Sequence, residues 1–341
     1  MTLKGQKNHY NIKFLKGYGH SIYVKNSKII LKSNHDPFSP PEQEEWFVKN
    51  MPYEKIVLQG KGYVSTEALS LLSQNNRNVV LLDNRGKPVT FCNEMMESLT
   101  ATKYRMAQYD TFRNTEKCEY LKKQIISAKQ QSQLKLLKMI GSDVTELPEK
   151  EHLASQIYFK EFAKFIPKKY QFHSRNQSFI RTSKNNATDI INALLNYGYS
   201  ILAGEISKFV CGYGLDPYFG FMHRSHTGFQ PLVYDLIEPF RWLVEYSVWK
   251  IANHSSDRQR IKLKEYSYTK DGTIVMEYTL IKRFLELLER QFQKEREYQF
   301  RHGKKTKGGL KSVQEITIAK IAVQNLAEYC LEKRIFYNFR I

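Results

Sequence analysis

"TATKYRMAQYDTFRNTEKCEYLKKQIISAKQQSQLKLLKMI", residues 100–140, holds no proline and has the composition of helix throughout. It marks the point where the chain changes its period. Before it, "NIKFLKGYGHSIYVKNSKIILK" (11–32) alternates apolar and polar residues and is punctuated at Gly17, Gly19 and Asn26-Ser27. That pattern predicts short strands joined by tight turns, a β meander. "EKIVLQG" reads as a further strand, "STEALSLLSQNN" as a helix capped by Ser65, and "NVVLLDNRGKPV" as a strand running into an Asp-Asn-Arg-Gly turn. After residue 140, helices are expected around 149–166, 185–210, 232–254, 276–300 and 312–333. The fold class is therefore α+β: a small, mostly-β domain over 1–95, then a larger all-α domain over 96–341, with a linker near 91–100. At 341 residues the chain exceeds one comfortable core, which agrees with two domains.

Lys and Arg number 53 against 34 Asp and Glu, a formal charge of +19. Such a field attracts polyanions, and nucleic acid is the leading partner class. The 22 Tyr and 20 Phe would suit stacking on unpaired bases, although most such rings belong to cores. No apolar run reaches the ~18 residues of a membrane span, and the N-terminus lacks the apolar segment of a signal peptide. The expectation is a cytoplasmic protein without membrane contact. Cys92, Cys118, Cys211 and Cys330 are widely spaced, which excludes a disulfide scaffold or a zinc knuckle. They read as reduced and structural.

Against this charge, "GLDPYFGFMHRSHTGFQPLVYDLIEPFR" (214–241) gathers acids and histidines among aromatics. Asp235 and Glu238, three apart, would share one face of a helix and repel unless a cation lies between them or one stays protonated. A solvated helix face explains the pair equally well. His223 closes an aromatic, glycine-punctuated stretch where a solvated side chain is unexpected, and imidazole with carboxylates suits Mg²⁺ or Mn²⁺. His226 makes a His-x-x-His pair that zinc could use, but no cysteine lies near it. In "EHLASQIYFKEFAKFI", Glu151 precedes Ala154, Tyr158 and Phe162 at helical spacing, which puts it on a buried face. Glu149 then looks solvated, and His152 points about 100° away around the helix. Stabilisation of the helix dipole would account for both glutamates without any ligand.

Together, "DIINALLNYGYSIL" (189–202), "GLDPYFGFMH" (214–223) and "PLVYDLIEPFR" (231–241), following "EHLASQIYF", resemble the signature blocks of Cas1, the CRISPR integrase family. The likeness runs from the N-terminus to roughly residue 300. It implies a divalent metal, Mg²⁺ or Mn²⁺, on Glu151, His223 and Glu238, with Asp235 in a supporting position. It also implies that Tyr197 lies close to the DNA being joined. The family usually carries Arg or Lys after Gly228, where this chain has Phe229 and Gln230, so a phosphate contact would shift to Arg224 or another base; Arg241 is a candidate as well. The implied activity is insertion of spacer DNA into a CRISPR repeat, by attack of a 3′-hydroxyl on a phosphodiester. The implied assembly is a homodimer, joined through the β domain and working with Cas2. No Gly-x-x-x-x-Gly-Lys phosphate loop is present, as suits a transesterification that needs no nucleotide energy source.

Two other readings stand beside this one. A transposon-encoded Cas1 homologue that joins its own element's ends would share every site residue, and a DNA-binding scaffold would have lost catalysis. "RHGKKTKGGLK" (301–311) has five bases and no acid, and Arg301, Lys304, Lys305 and Lys307 are expected to bind phosphates there.

Overall fold

The computed structural model describes residues 12–33, 40–53, 55–75, 77–82, 88–92, 99–175, 187–223, 230–270, 272–298 and 311–336. The chain divides into two compact units, 1–95 and 96–341.

The first unit is built on β1 (Ile12–Lys25), β2 (Lys28–Ser33), β3 (Glu42–Trp46), β4 (Lys55–Val64), β5 (Asn78–Leu82) and β6 (Pro88–Cys92), with α1 (Thr66–Gln74) between β4 and β5. The six strands form one sheet in the order β3-β2-β1-β4-β5-β6. The meander expected over 11–32 is the two strands β1 and β2, and β3 extends it antiparallel to β2. β1 pairs parallel with β4, and β4 with β5, while β5 and β6 are antiparallel. The parallel centre follows from composition: Val57, Leu58, Val79 and Val80 form continuous apolar runs, as strands covered on both faces require. Gly17 and Gly19 do not break β1 into short strands. They take positive φ (100° and 76°) beside a register shift between Tyr18 and His20, so they bulge a single 14-residue strand. Asn26 and Ser27, at φ 50° and 59°, make the real hairpin turn. The Ser65 cap is present, its Oγ accepting from the Ala68 N–H at 3.1 Å. Ala68 and Leu72 of α1 then join Leu15, Ile22, Ile56 and Val79 in the core.

The second unit holds α2 (Leu99–Arg113), α3 (Thr115–Met139), α4 (Glu151–Lys164), α5 (Ile190–Gly212), α6 (Pro231–Ile237), α7 (Arg241–Ala252), α8 (Tyr278–Gln293) and α9 (Glu315–Cys330). Two small ribbons, β7 (Tyr266–Tyr268) with β8 (Ile274–Met276) and β9 (Glu295–Tyr298) with β10 (Lys311–Gln314), qualify the all-α expectation. The end of the helix expected over 276–300 is in fact β9.

Asn114 splits the 100–140 stretch, its side chain capping α3 through the Lys117 N–H at 3.0 Å. α5 is apolar all round and buried along most of its length, which makes it the central helix of this unit. Gly198 lets α7 and α8 approach it, because a Cβ there would lie 2.4 Å from Val244 Cγ1 and 3.1 Å from Phe284. The helix expected over 232–254 is interrupted. Pro239 has no N–H to continue the ladder, so Glu238–Phe240 forms a 3-10 turn between α6 and α7. That interruption positions the site. The four cysteines are free thiols, and among the described residues no helix is long and apolar enough to cross a membrane.

Candidate active site

Asp235 and Glu238 are almost completely buried, at 0% and 3% exposure, so the solvated-face explanation fails for both. Nor do they share a cation. The turn at Glu238 sends the two carboxylates to separate partners.

Asp235, on α6, faces the segment that ends in His223. Its Oδ2 accepts the N–H groups of Phe221 and Met222 at 2.7 and 3.0 Å, and its Oδ1 accepts the His223 N–H at 3.0 Å. Oδ1 also lies 2.6 Å from His223 Nδ1. One carboxylate thus shapes the loop and sets the ring. Gly220 makes the approach possible, since a Cβ there would meet Asp235 Oδ2 at 2.7 Å and Pro231 Cβ at 2.8 Å. α2 holds the same loop from the other side. Gln108 donates to the carbonyls of Asp216 and Phe219 and accepts the Asp216 N–H, while the Tyr109 hydroxyl reaches Asp216 Oδ2 at 2.8 Å. Phe112 stacks on Phe219 and meets Phe221 edge-on, so the aromatics of this stretch form the wall behind His223.

Glu238 is met by cations. Arg241 Nη2 lies 2.6 Å from its Oε1, and Lys129 Nζ, from α3, lies 2.8 Å from its Oε2. The same Lys129 Nζ lies 2.8 Å from Oε1 of Glu151, the first residue of α4. Two carboxylates from different elements therefore converge on one positive centre. Ala154, Tyr158 and Phe162 are buried, which fixes the face of α4 from which Glu151 projects, while Glu149 and His152 are exposed.

Burial opposes the charge on Glu238, but Arg241 and then Lys129 outweigh it and hold the carboxyl below its ordinary pKa. Burial likewise works against the Lys129 ammonium, yet Glu238 and Glu151 keep its pKa raised. The hydrogen bond to Asp235 raises His223, against the opposing effect of desolvation. A third acid lies beneath: Glu245 of α7 accepts from the Tyr158 hydroxyl at 2.5 Å and the Tyr199 hydroxyl at 2.7 Å. Burial pushes its carboxyl up, and the two tyrosine donors and Arg241 only partly offset this. The Arg241 guanidinium sits 4.7 Å from the Tyr199 ring centroid and joins this layer to Glu238.

The structure thus brings together Glu151, His223, Asp235, Glu238 and Arg241. Arg241, expected at DNA phosphates, is paired with Glu238. Tyr197 does not join the group. Its ring packs by Phe284 of α8, and its buried hydroxyl has no hydrogen-bond partner. Arg224, His226 and Phe229, and the loop residues Arg301, Lys304, Lys305 and Lys307, lie outside the described residues.

Sequence reasoning missed Lys129, Glu245 and Tyr199. Lys129 had a signal: it falls on the stripe Leu121, Ile125, Ser132, Leu136, so a lysine occupies a core position of α3. Glu245 has the same signature amid the apolar residues of α7.

Among the described residues no three of His, Cys, Asp and Glu are gathered as metal ligands. The donor chemistry nevertheless fits a hard divalent cation. Glu151 and Glu238 already share one positive charge, and Glu238 Oε2 is buried there without an aligned hydrogen bond. With Nδ1 of His223 directed at a carboxylate, ligation would fall to Nε2, the usual arrangement behind a metal-bound histidine.

Fold and site together define a two-unit protein, a mixed sheet followed by helices, with an acid-histidine centre in the helical unit whose Asp235 and Glu238 are buried and whose His223 and Glu151 are partly exposed. A sequence model described as "CRISPR associated protein Cas1" matches residues 14–150 and 139–290, and the chain belongs to that family. It is 30% identical over 254 residues to the CRISPR-associated endonuclease Cas1 2 of Saccharolobus solfataricus, covering 72% of this chain and 76% of that one. Among solved structures it resembles a casposase bound to its integration product, with a TM-score of 0.82 and 24% identity over 96% of this chain and 93% of the other. It also resembles a Cas6-RT-Cas1–Cas2 complex, with a TM-score of 0.66 and 19% identity over 97% of this chain and 36% of that one. These two likenesses are of fold.

Proposed function

We propose that this chain is a metal-dependent DNA strand transferase that inserts spacer DNA into a CRISPR repeat, with Glu151, His223 and Glu238 holding Mg²⁺ or Mn²⁺. The observation that carries the reading is the convergence of Glu151 and Glu238 on one cation position, beside a histidine whose ring is set by Asp235. Bound there, the metal would polarise a phosphoryl oxygen and favour the oxyanions that develop as a 3′-hydroxyl attacks. The chain's own part is to keep Glu238 ionised through Arg241, to orient His223 through Asp235, and to wall the loop with Phe112, Phe219 and Phe221. A chain of charge +19 brings DNA to the centre, and there the acids act through the cation they hold rather than repel phosphates. The partners in this reading are spacer-precursor and repeat DNA, a second copy of the chain and Cas2. Spacer insertion is preferred over joining of a mobile element's own ends because the 30%-identical relative is named a CRISPR-associated endonuclease.

The test is transfer of a labelled duplex into a supercoiled, repeat-bearing plasmid with Mn²⁺ or Mg²⁺. His223→Ala is expected to lower the rate by at least about a thousandfold while DNA affinity stays unchanged. Equal rates for variant and parent would remove His223 from the site.

A further inference from the structure

Lys129 lies on the buried stripe of α3 with its side chain 11% exposed, and its ammonium is 2.8 Å from a carboxylate oxygen of each of Glu151 and Glu238. The charges balance locally: Lys129 and Arg241 against Glu151 and Glu238. A divalent ion ligated by the same two glutamates would lie within a few ångströms of the ammonium, where like charges repel. We propose that Lys129 is a resident counter-cation that competes with the divalent ion for Glu151 and Glu238 and must leave them when the metal binds. Lys129 is thus a positioning and selectivity residue rather than a ligand. It keeps the buried Glu238 and the partly exposed Glu151 together in the metal-free protein, and it sets how tight a divalent ion must bind to enter.

The idea rests on the metal-binding reading above, and the experiment separates the two. Mn²⁺ affinity is measured by electron paramagnetic resonance of the unbound ion, with no DNA present, for the parent chain, Lys129→Met and Glu238→Gln. Lys129→Met keeps the length of the side chain and removes its charge. It is expected to bind Mn²⁺ about tenfold more tightly or better than the parent, whereas Glu238→Gln loses the site. The metal-free Lys129→Met protein should melt at a lower temperature, and saturating Mn²⁺ should raise its melting point by more than it raises the parent's.

Equal or weaker Mn²⁺ binding in Lys129→Met, with the Glu238→Gln loss intact, would overturn the competition alone. Absence of binding in the parent would overturn the metal reading as well. Should Lys129→Met fail to fold, the parent decides by itself. With ¹³Cε-labelled lysine, one resonance, identified by its disappearance in Lys129→Arg, must shift on titration with Mg²⁺. A resonance unmoved at saturation refutes the displacement.

Discussion

Asp235 and Glu238 are three residues apart and equally hidden, yet their charges are met in opposite ways. Asp235 is cradled by three backbone N–H groups and one imidazole nitrogen, and Glu238 by two side-chain cations from α3 and α7. Backbone donors cannot leave without unmaking the loop. Side-chain cations can swing away. The first acid therefore defines a shape, and the second defines a place where one cation can be exchanged for another.

Breaking the exchangeable side has the largest effect. Glu238→Gln leaves Lys129 and Arg241 facing each other across an uncharged amide, and should cost about 3 kcal/mol in urea unfolding and abolish strand transfer. Breaking the shaped side is done through Gly220, whose replacement by Ala drives a Cβ against Asp235 Oδ2. The expected cost is about 1–3 kcal/mol, with Mn²⁺ affinity falling because His223 moves.

A pair outside the candidate site sharpens the contrast. Arg283 grips Glu265 with two nitrogens, each 2.8 Å from a carboxylate oxygen. Burial opposes the charge on Glu265, but the hydrogen bonds from Arg283 prevail and hold its carboxyl below the ordinary range. The stability this lends is present above the unfolded carboxylate pKa, about 4.3, and is lost as pH falls through the lower folded value. Arg283→Met should thus cost about 2 kcal/mol at pH 7, progressively less below pH ~4, and leave the Mn²⁺ response unchanged.

The smallest effects separate two tyrosines of one helix. Tyr199→Phe removes a donor to Glu245 and should cost about 1 kcal/mol, while Tyr197→Phe removes a hydroxyl without a partner and should alter stability by under ~0.5 kcal/mol. Retained strand transfer in Tyr197→Phe would agree with its place against Phe284, and a large loss would return it to the chemistry.

Much of this was legible beforehand, for reasons that lie in particular residues. The switch from period two to period 3.6 near residue 100 separates a sheet from helices because strands and helices bury different spacings. Ser65 and Glu151 were readable as a cap and as a member of a buried face because both depend on local sequence. The parallel pairing of β1 with β4 was not readable, since it joins strands distant in sequence. Glycines at positive φ look the same in a bulge as in a turn, which is why Gly17 and Gly19 misled. The expectation that Asp235 and Glu238 share one helix face assumed a continuous helix, and Pro239 breaks it. Lys129 was passed over because lysines are usually solvated, although its place on the apolar stripe of α3 was in plain view.

The central claim is that Glu151 and Glu238 form one exchangeable cation position. Anomalous diffraction from crystals soaked in Mn²⁺ tests it most directly. The account predicts a peak bound by Glu151, Glu238 and His223, with the Lys129 side chain turned away. A manganese peak elsewhere, with Lys129 still between the two glutamates, would contradict it.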